Sequence, residues 1–171
     1  MIRPSALIAL GAAGVFAAGA LAQPAAPLDV RAAMQQRVNP AMLAIWEVSN
    51  NALDDNGAID PAQMDDGKWA AIADAAGQLA EASRDMAAAA TFVAAAPDNA
   101  EVAEGGIAMA AVQQHLDRDP AGFRQMAAAM AEHADHIALA AHAKDAQAAG
   151  DLIGGTDAMC ESCHSVFWYP E

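Results

Sequence analysis

Residues 119–141 read DPAGFRQMAAAMAEHADHIALAA, and this stretch decides the fold class. Asp119 is a helix-capping residue type, and Pro120 suits a first helical position, where its missing N–H costs nothing. Phe123, Met126, Met130, Ile137 and Ala141 then recur at three-, four- and seven-residue steps, the one-sided apolar stripe of a helix packed on a core. The flanking residues are mostly alanine, which has the best helix propensity and the smallest side chain.

Working outward, the same pattern repeats. Leu28 to Leu53 reads as a helix with Val30, Met34, Val38, Met42, Ile45 and Trp46 at helical spacing. Pro40 inside it predicts either a kink or a helix that starts near Asn39. Asp54-Asp55-Asn56-Gly57 is a turn, and Asp60-Pro61 opens a second helical run reaching about Ala95, with Gly67 as a break point. Trp69, Ile72, Ala76, Leu79, Met86 and Phe92 lie on one side of that run. Ala96-Pro97-Asp98-Asn99 interrupts the chain, and residues 99–117 form a weaker helical piece containing Gly105-Gly106. After the quoted stretch, Asp145 to Gly150 reads as a turn, and a short last helix carries Cys160 to Trp168. No stretch alternates as a strand would. Four principal amphipathic helices with short connections predict an all-α protein, an antiparallel four-helix bundle. At 171 residues the chain is one domain's worth, with a core large enough to enclose a cofactor.

The formal charge is −14, from 8 basic and 22 acidic residues. No basic cluster exists to neutralise a row of phosphates, so a nucleic-acid partner is not expected. An acidic surface keeps a small protein soluble and is also compatible with a basic redox partner. Arg3, the apolar run 6–19 and Ala20-Leu21-Ala22 make a signal peptide with cleavage expected after Ala22. The apolar run is short for a membrane span. The mature chain, 23–171, is then expected in the periplasm.

Cys160-Glu161-Ser162-Cys163-His164 carries the chemistry. C-x-x-C-H is the attachment spacing of c-type haem. On a helix, residues three and four apart share a face, so both thiols reach one edge of a porphyrin and His164 projects toward the iron from the same side. Three other readings of the cysteines are a disulfide, a thioredoxin-type dithiol and half of a zinc site. The dithiol lacks its βαβ setting, zinc lacks a second ligand pair, and so short a disulfide loop stabilises little. The expectation is one covalent haem c on Cys160 and Cys163, with His164 as proximal iron ligand.

An exported helical chain with C-x-x-C-H a few residues from its C-terminus resembles the cytochrome c-prime family. The resemblance is most specific from about Asp119 to Trp168; the N-terminal two-thirds agrees in helix order only. It implies a left-handed four-helix bundle, often a homodimer, with the haem held between helices near one end. Its members include five-coordinate, gas-binding cytochromes and six-coordinate, low-spin ones of the c-556 type. The family usually has an aromatic and then a basic residue three and four positions after the ligating His. Here Phe167 keeps the aromatic, and Trp168 replaces the cation. Members also tend to place a basic residue early in the first helix, against a haem propionate; Arg31 and Arg37 are the candidates.

The resemblance also frames the distal side, where six-coordinate members use a Met from the first helix. Met34 is the first candidate and Met42 the second. Met126, Met130 and His133 on the third strong helix are further ones, with Met130 matched to the level of His164 if the last turn centres near Gln147. Val38 over the iron would instead leave it five-coordinate. His115, His136 and His142 read as surface residues, and Trp46 and Trp69 as core aromatics. Two functions remain open: periplasmic one-electron transfer to a soluble or membrane redox partner, and binding of NO or CO at an open distal position. A peroxidase role lacks a distal His and Arg pair, so the protein is not expected to be an enzyme.

Overall fold

The computed structural model describes residues 26–102 and 106–169. The signal-peptide reading of residues 1–22 lies outside the described residues. The fold is all-α. After a two-residue strand β1 (Leu28–Asp29), the first helix comprises α1 (Val30–Ala33), a π-helical turn (Met34–Val38) and α2 (Asn39–Asn50). It is followed by α3 (Asp66–Ala88), strand β2 (Phe92–Val93), α4 (Met109–Arg118), α5 (Pro120–Ala143) and α6 (Ala146–Phe167).

The capping residues behave as their chemistry dictates. Asp119 accepts from Gly122 N at 2.8 Å, with Pro120 at the helix start. Asp65 accepts from Lys68 N at 2.8 Å and opens α3, while Asp60-Pro61 begins only the short 3-10 turn Pro61–Gln63. The second helical run is therefore broken just before Gly67 and ends at Ala88, short of Ala95. Phe92 is not helical; it pairs in parallel with Leu28, and Val93 with Asp29. That two-residue ladder is too short to leave an alternating pattern in the sequence.

Two expectations are corrected at the C-terminal end. The turn does not extend from Asp145 to Gly150, and the last helix is not short. The turn is Lys144-Asp145: Lys144 adopts a left-handed φ of 55°, and Asp145 N bonds Ala140 O at 3.0 Å, closing the helix end. Asp145 then caps Ala148 N at 3.0 Å, and α6 runs uninterrupted to Phe167 with Gly150 inside it. A residue that can cap does so here, although the glycine made the better-looking stop.

An α-helix does start at Asn39 with Pro40 in its first turn, as one of the two expectations had it, but a π turn joins it to helical backbone that begins at Val30. Asn39 N bonds Met34 O, a five-residue step that defines the π turn. Proline has no N–H to donate, and its ring crowds the carbonyl four residues back, which a widened turn relieves. The buried positions supply a second reason. At about 100° per residue, Val30 and Ala33 point about 100° away from Ala41, Met42 and Ile45 on a continuous α-helix. One extra residue in the π turn brings the two sets into line.

Two apolar clusters result. One joins Ala41, Met42 and Ile45 to Trp69, Ile72, Leu79, Ile137 and Ile153. The other joins Val30 and Ala33 to Met86, Val112, Leu116, Phe123 and Phe167. Helices α3 and α5 pack on one another through alanines such as Ala76, Ala80, Ala134 and Ala141, whose small side chains let the backbones approach. The first helix packs on α3, and α6 on α5. The site lies where the two clusters meet.

Candidate functional site

On α6 the residues Ala149, Ile153, Thr156, Cys160, Cys163, His164 and Phe167 fall on one face by helical spacing, and four of them are buried. The two cysteines and His164 are half-buried. The C-x-x-C-H pentapeptide therefore continues the buried stripe of α6 toward its C-terminal end, and the packing of Ile153 and Phe167 fixes which way it points.

It points into a cleft. A cavity of about 370 Å³ is lined by Met34, Val38, Asn39, Met42, Leu43 and Trp46 of the first helix and by Leu79, Ser83 and Met86 of α3. Phe123, Met126, Ala127 and Met130 of α5 and Thr156, Asp157, Met159, Cys160, Cys163 and His164 of α6 complete it. A second cavity of about 220 Å³ shares Met34, Asn39, Phe123, Cys163 and His164 and adds Arg31, Gln35, Met109, Leu116, Phe167 and Trp168 among others. Ligand pockets typically measure about 300–1,000 Å³ and are mainly apolar with a few polar groups, and this cleft has that character. Ser83 and Thr156 donate their hydroxyls to Leu79 O (2.8 Å) and Leu152 O (3.1 Å), so neither leaves a polar demand inside the cavity.

Both cysteines are free thiols, and the disulfide reading is not realised. Burial pushes the Cys163 thiol up to about 11, with Cys160 beside it adding to the shift. Burial and the nearby Asp157 carboxylate raise Cys160 as well. A redox-active dithiol needs the opposite, a depressed thiol. Burial lowers His164 while Glu161 opposes, which favours the neutral imidazole with its lone pair. Among the described residues no three His, Cys, Asp or Glu side chains gather as metal ligands. The pair is thus not extended into the four-ligand set that zinc takes.

The other named residues separate. Met34 lies on the walls of both cavities, as His164 does. Met42, Met126 and Met130 line the larger one. With the turn at Lys144-Asp145, about 19 residues before His164, constant helix rise moves the level match from Met130 to Met126. His133 lines neither cavity; its Nε2–H donates to Leu152 O at 2.9 Å and sits 3.1 Å from Thr156 Oγ1, tying α5 to α6. His136 and His142 are exposed, but His115 is half-buried. Trp69 is core, whereas Trp46 is half-buried on the cavity wall. Arg31 lines the smaller cavity and donates to Glu101 O; Arg37 pairs with Asp85 at 2.6 Å and lines neither.

Sequence reading did not identify Met86, Phe123 and Met159 as lining residues. A signal existed, since six of the nine methionines line the larger cavity and Met109 lines the smaller. No protein-family model, curated protein or solved structure matches this chain.

Proposed function

We propose that this protein is a periplasmic c-type cytochrome that carries one covalent haem and transfers single electrons. The observation that carries the reading is the placement of Cys160, Cys163 and His164 together on the wall of a mainly apolar cleft. Two neutral thiols three residues apart on one helix face match the two vinyl groups on one edge of a porphyrin. Cys160 and Cys163 would hold the group through thioethers, each formed by adding S–H across a vinyl double bond with no external oxidant or reductant needed. The cleft fits the group in three further respects. Its volume is that of a cofactor pocket, its lining is mostly apolar, and Arg31 offers a cation for a propionate at the smaller cavity. The first helix, α3, α5 and α6 supply the walls, the arrangement of a four-helix bundle enclosing its cofactor.

Bound haem supplies the Fe(III)/Fe(II) couple, and the chain's residues set the conditions. His164 offers a neutral imidazole nitrogen as the proximal ligand. Met34, which lines the same cleft, would offer a soft thioether, and Met/His ligation would raise the reduction potential and favour low-spin iron. The apolar wall of Val38, Leu79, Met86 and Phe123 excludes water, so gain or loss of an electron requires little solvent rearrangement. The partner is a soluble or membrane redox protein that tolerates an acidic surface, and the chain works after removal of residues 1–22. A homodimer is in keeping with the cytochrome c-prime resemblance.

A second reading has its own support. Val38 lines the same cavity as Met34. If Val38 covers the iron, the site takes NO or CO and the protein is a sensor or scavenger. Two measurements decide. Denatured protein should retain its haem through acid–acetone extraction and lose it when Cys160→Ala and Cys163→Ala are combined; freely extracted haem refutes the covalent cytochrome. Ferric wild type should be low-spin with a weak near-infrared sulfur-to-iron band that Met34→Ala removes, with rapid CO binding gained on reduction. A wild type already high-spin and quick to bind CO replaces electron transfer by gas binding.

A further inference from the structure

Helix α6 does not stop cleanly after the proposed iron ligand but folds its last residues back over it. Trp168 N and Tyr169 N both donate to His164 O, at 2.8 and 2.9 Å. That double bond to one carbonyl brings the two aromatic rings against the His164 side chain. The Trp168 ring meets the imidazole nearly perpendicular, at 85° with centroids 4.8 Å apart. Tyr169 lies 5.8 Å from the imidazole and 5.6 Å from the Trp168 ring. Its hydroxyl donates to the Glu161 carboxylate at 2.6 Å, eight residues back and one turn before His164 on α6, which clips the outer end of the group. Trp168 is half-buried against the cluster containing Phe123 and Phe167 and shares the wall of the smaller cavity with His164.

A ligating histidine is ordinarily held in rotation by a hydrogen bond from its second ring nitrogen to a carboxylate, carbonyl or water. Among the described residues no protein group makes such a bond to the His164 ring. The contact that does restrict the ring is the perpendicular one with Trp168, a favoured geometry for aromatic pairs. Trp168 also occupies the position where a cation is expected by resemblance.

We infer that Trp168, backed by Tyr169 and the Glu161 clip, is a positioning residue that fixes the rotation of the His164 imidazole by ring packing. The inference rests on the haem reading and concerns the proximal side only. Ring packing gives less electron density to the imidazole than a hydrogen bond to a carboxylate would, so it sets both ligand orientation and ligand strength. Loss of one perpendicular aromatic contact corresponds to about a two- to tenfold change in an equilibrium it controls.

The test uses the haem-loaded periplasmic protein and compares wild type with Trp168→Ala, Trp168→Phe and Trp168→Leu. Trp168→Ala should retain covalent haem while its reduction equilibrium constant shifts about two- to tenfold and its ferric paramagnetic resonance values move, a tenfold change being about 59 mV for one electron. Trp168→Phe, which keeps an aromatic face, should return both close to wild type. Should Trp168→Ala not accumulate, Trp168→Leu fills the same space without a ring and should show the same shifts. A loaded Ala or Leu variant with unchanged potential and resonance values overturns the inference, as does a shift that Phe does not correct. If the wild type carries no covalent haem at all, the cytochrome reading itself falls, which is a separate and visible outcome.

Discussion

Deleting one residue from the first helix tests the account of its π turn. On a continuous α-helix the buried Val30 and Ala33 lie about 100° from Ala41, Met42 and Ile45, which equals the rotation of one residue. Deletion of Gln36, an exposed residue inside the π turn, therefore removes the phase error itself. It also leaves Pro40 in an ordinary helix interior, where proline costs about 3 kcal/mol. Deletion of Gln36 alone should thus destabilise by about that amount, and combining it with Pro40→Ala should restore stability close to wild type. Deletion of Ala44, equally exposed but beyond the turn, makes the opposite change. It rotates Ile45 and Ser49 away from their sites, and removing a fully buried Ile side chain from a core costs about 2–5 kcal/mol. Denaturant unfolding followed by far-ultraviolet circular dichroism, with m-values checked for constancy, reads all four proteins. If the double variant is destabilised as strongly as the Ala44 deletion, the phase argument is wrong.

Phe123→Ala removes a side chain 2% exposed that contacts Phe92 and Phe167 edge-on, at 4.8 and 5.3 Å; denaturation should show a loss of about 3–5 kcal/mol, and a loss under 1 would refute its central place. At Gly122 an added Cβ collides with the Asp119 carboxylate that caps it, so Gly122→Ala should cost about 1 kcal/mol by thermal melting despite alanine's better helix propensity. The last concerns protein made as residues 23–171 and free of haem. Its folded Cys163 thiol is raised from 9.0 to about 11, so the stability it contributes is complete below pH 9 and lost as pH rises toward 11. The urea midpoint should fall over that window in wild type and less in Cys163→Ala, and alkylation of Cys163 should be slow at pH 7.

The helices that frame the site were legible because their signals were local. The stripe from Phe123 to Ala141 and the cap at Asp119 need only i+3 and i+4 relations, and α5 begins at Pro120 as they indicate. The turn after α5 was read too long because Gly150 is an ordinary helix terminator and Lys144 is not. What decides it is the hydrogen bonding of Asp145 in both directions, to Ala140 behind and Ala148 ahead. The β1–β2 pairing of Leu28 with Phe92 was beyond reach because it joins residues far apart through two positions each. Within the site, the α6 residues could be read because they share one helix. The opposite wall could not, because it combines the first helix, α3 and α5, whose mutual rotation follows from packing. His133 shows the limit most clearly. Its spacing aims it inward, but its partner is Leu152 O on α6, and only assembly of the two helices reveals that.

Met34 occupies the one position at which local pattern and assembly agree without either being sufficient. The apolar spacing of the first helix places it inward, but the phase error between Ala33 and Ala41 means that spacing alone cannot say which cluster it faces. The π turn removes the ambiguity by aligning both halves of the helix, and Met34 then falls at the seam, on the walls of both cavities. Other thioethers nearby are less constrained in that respect, since Met42, Met126 and Met130 reach only the larger cavity. Methionine is flexible and fills irregular space, so a cleft with several of them can repack around an inserted ring. Under the proposed haem reading, that adaptability leaves the choice of distal sulfur to whichever is held most firmly by its backbone. The two ends of the first helix are anchored separately, by Asp29 bonding Ala32 N and Ala96 N at one end and by the buried Met42 and Ile45 at the other. Between them Met34 lies on the walls of both cavities that His164 also lines, which is the ground for proposing it as the distal ligand.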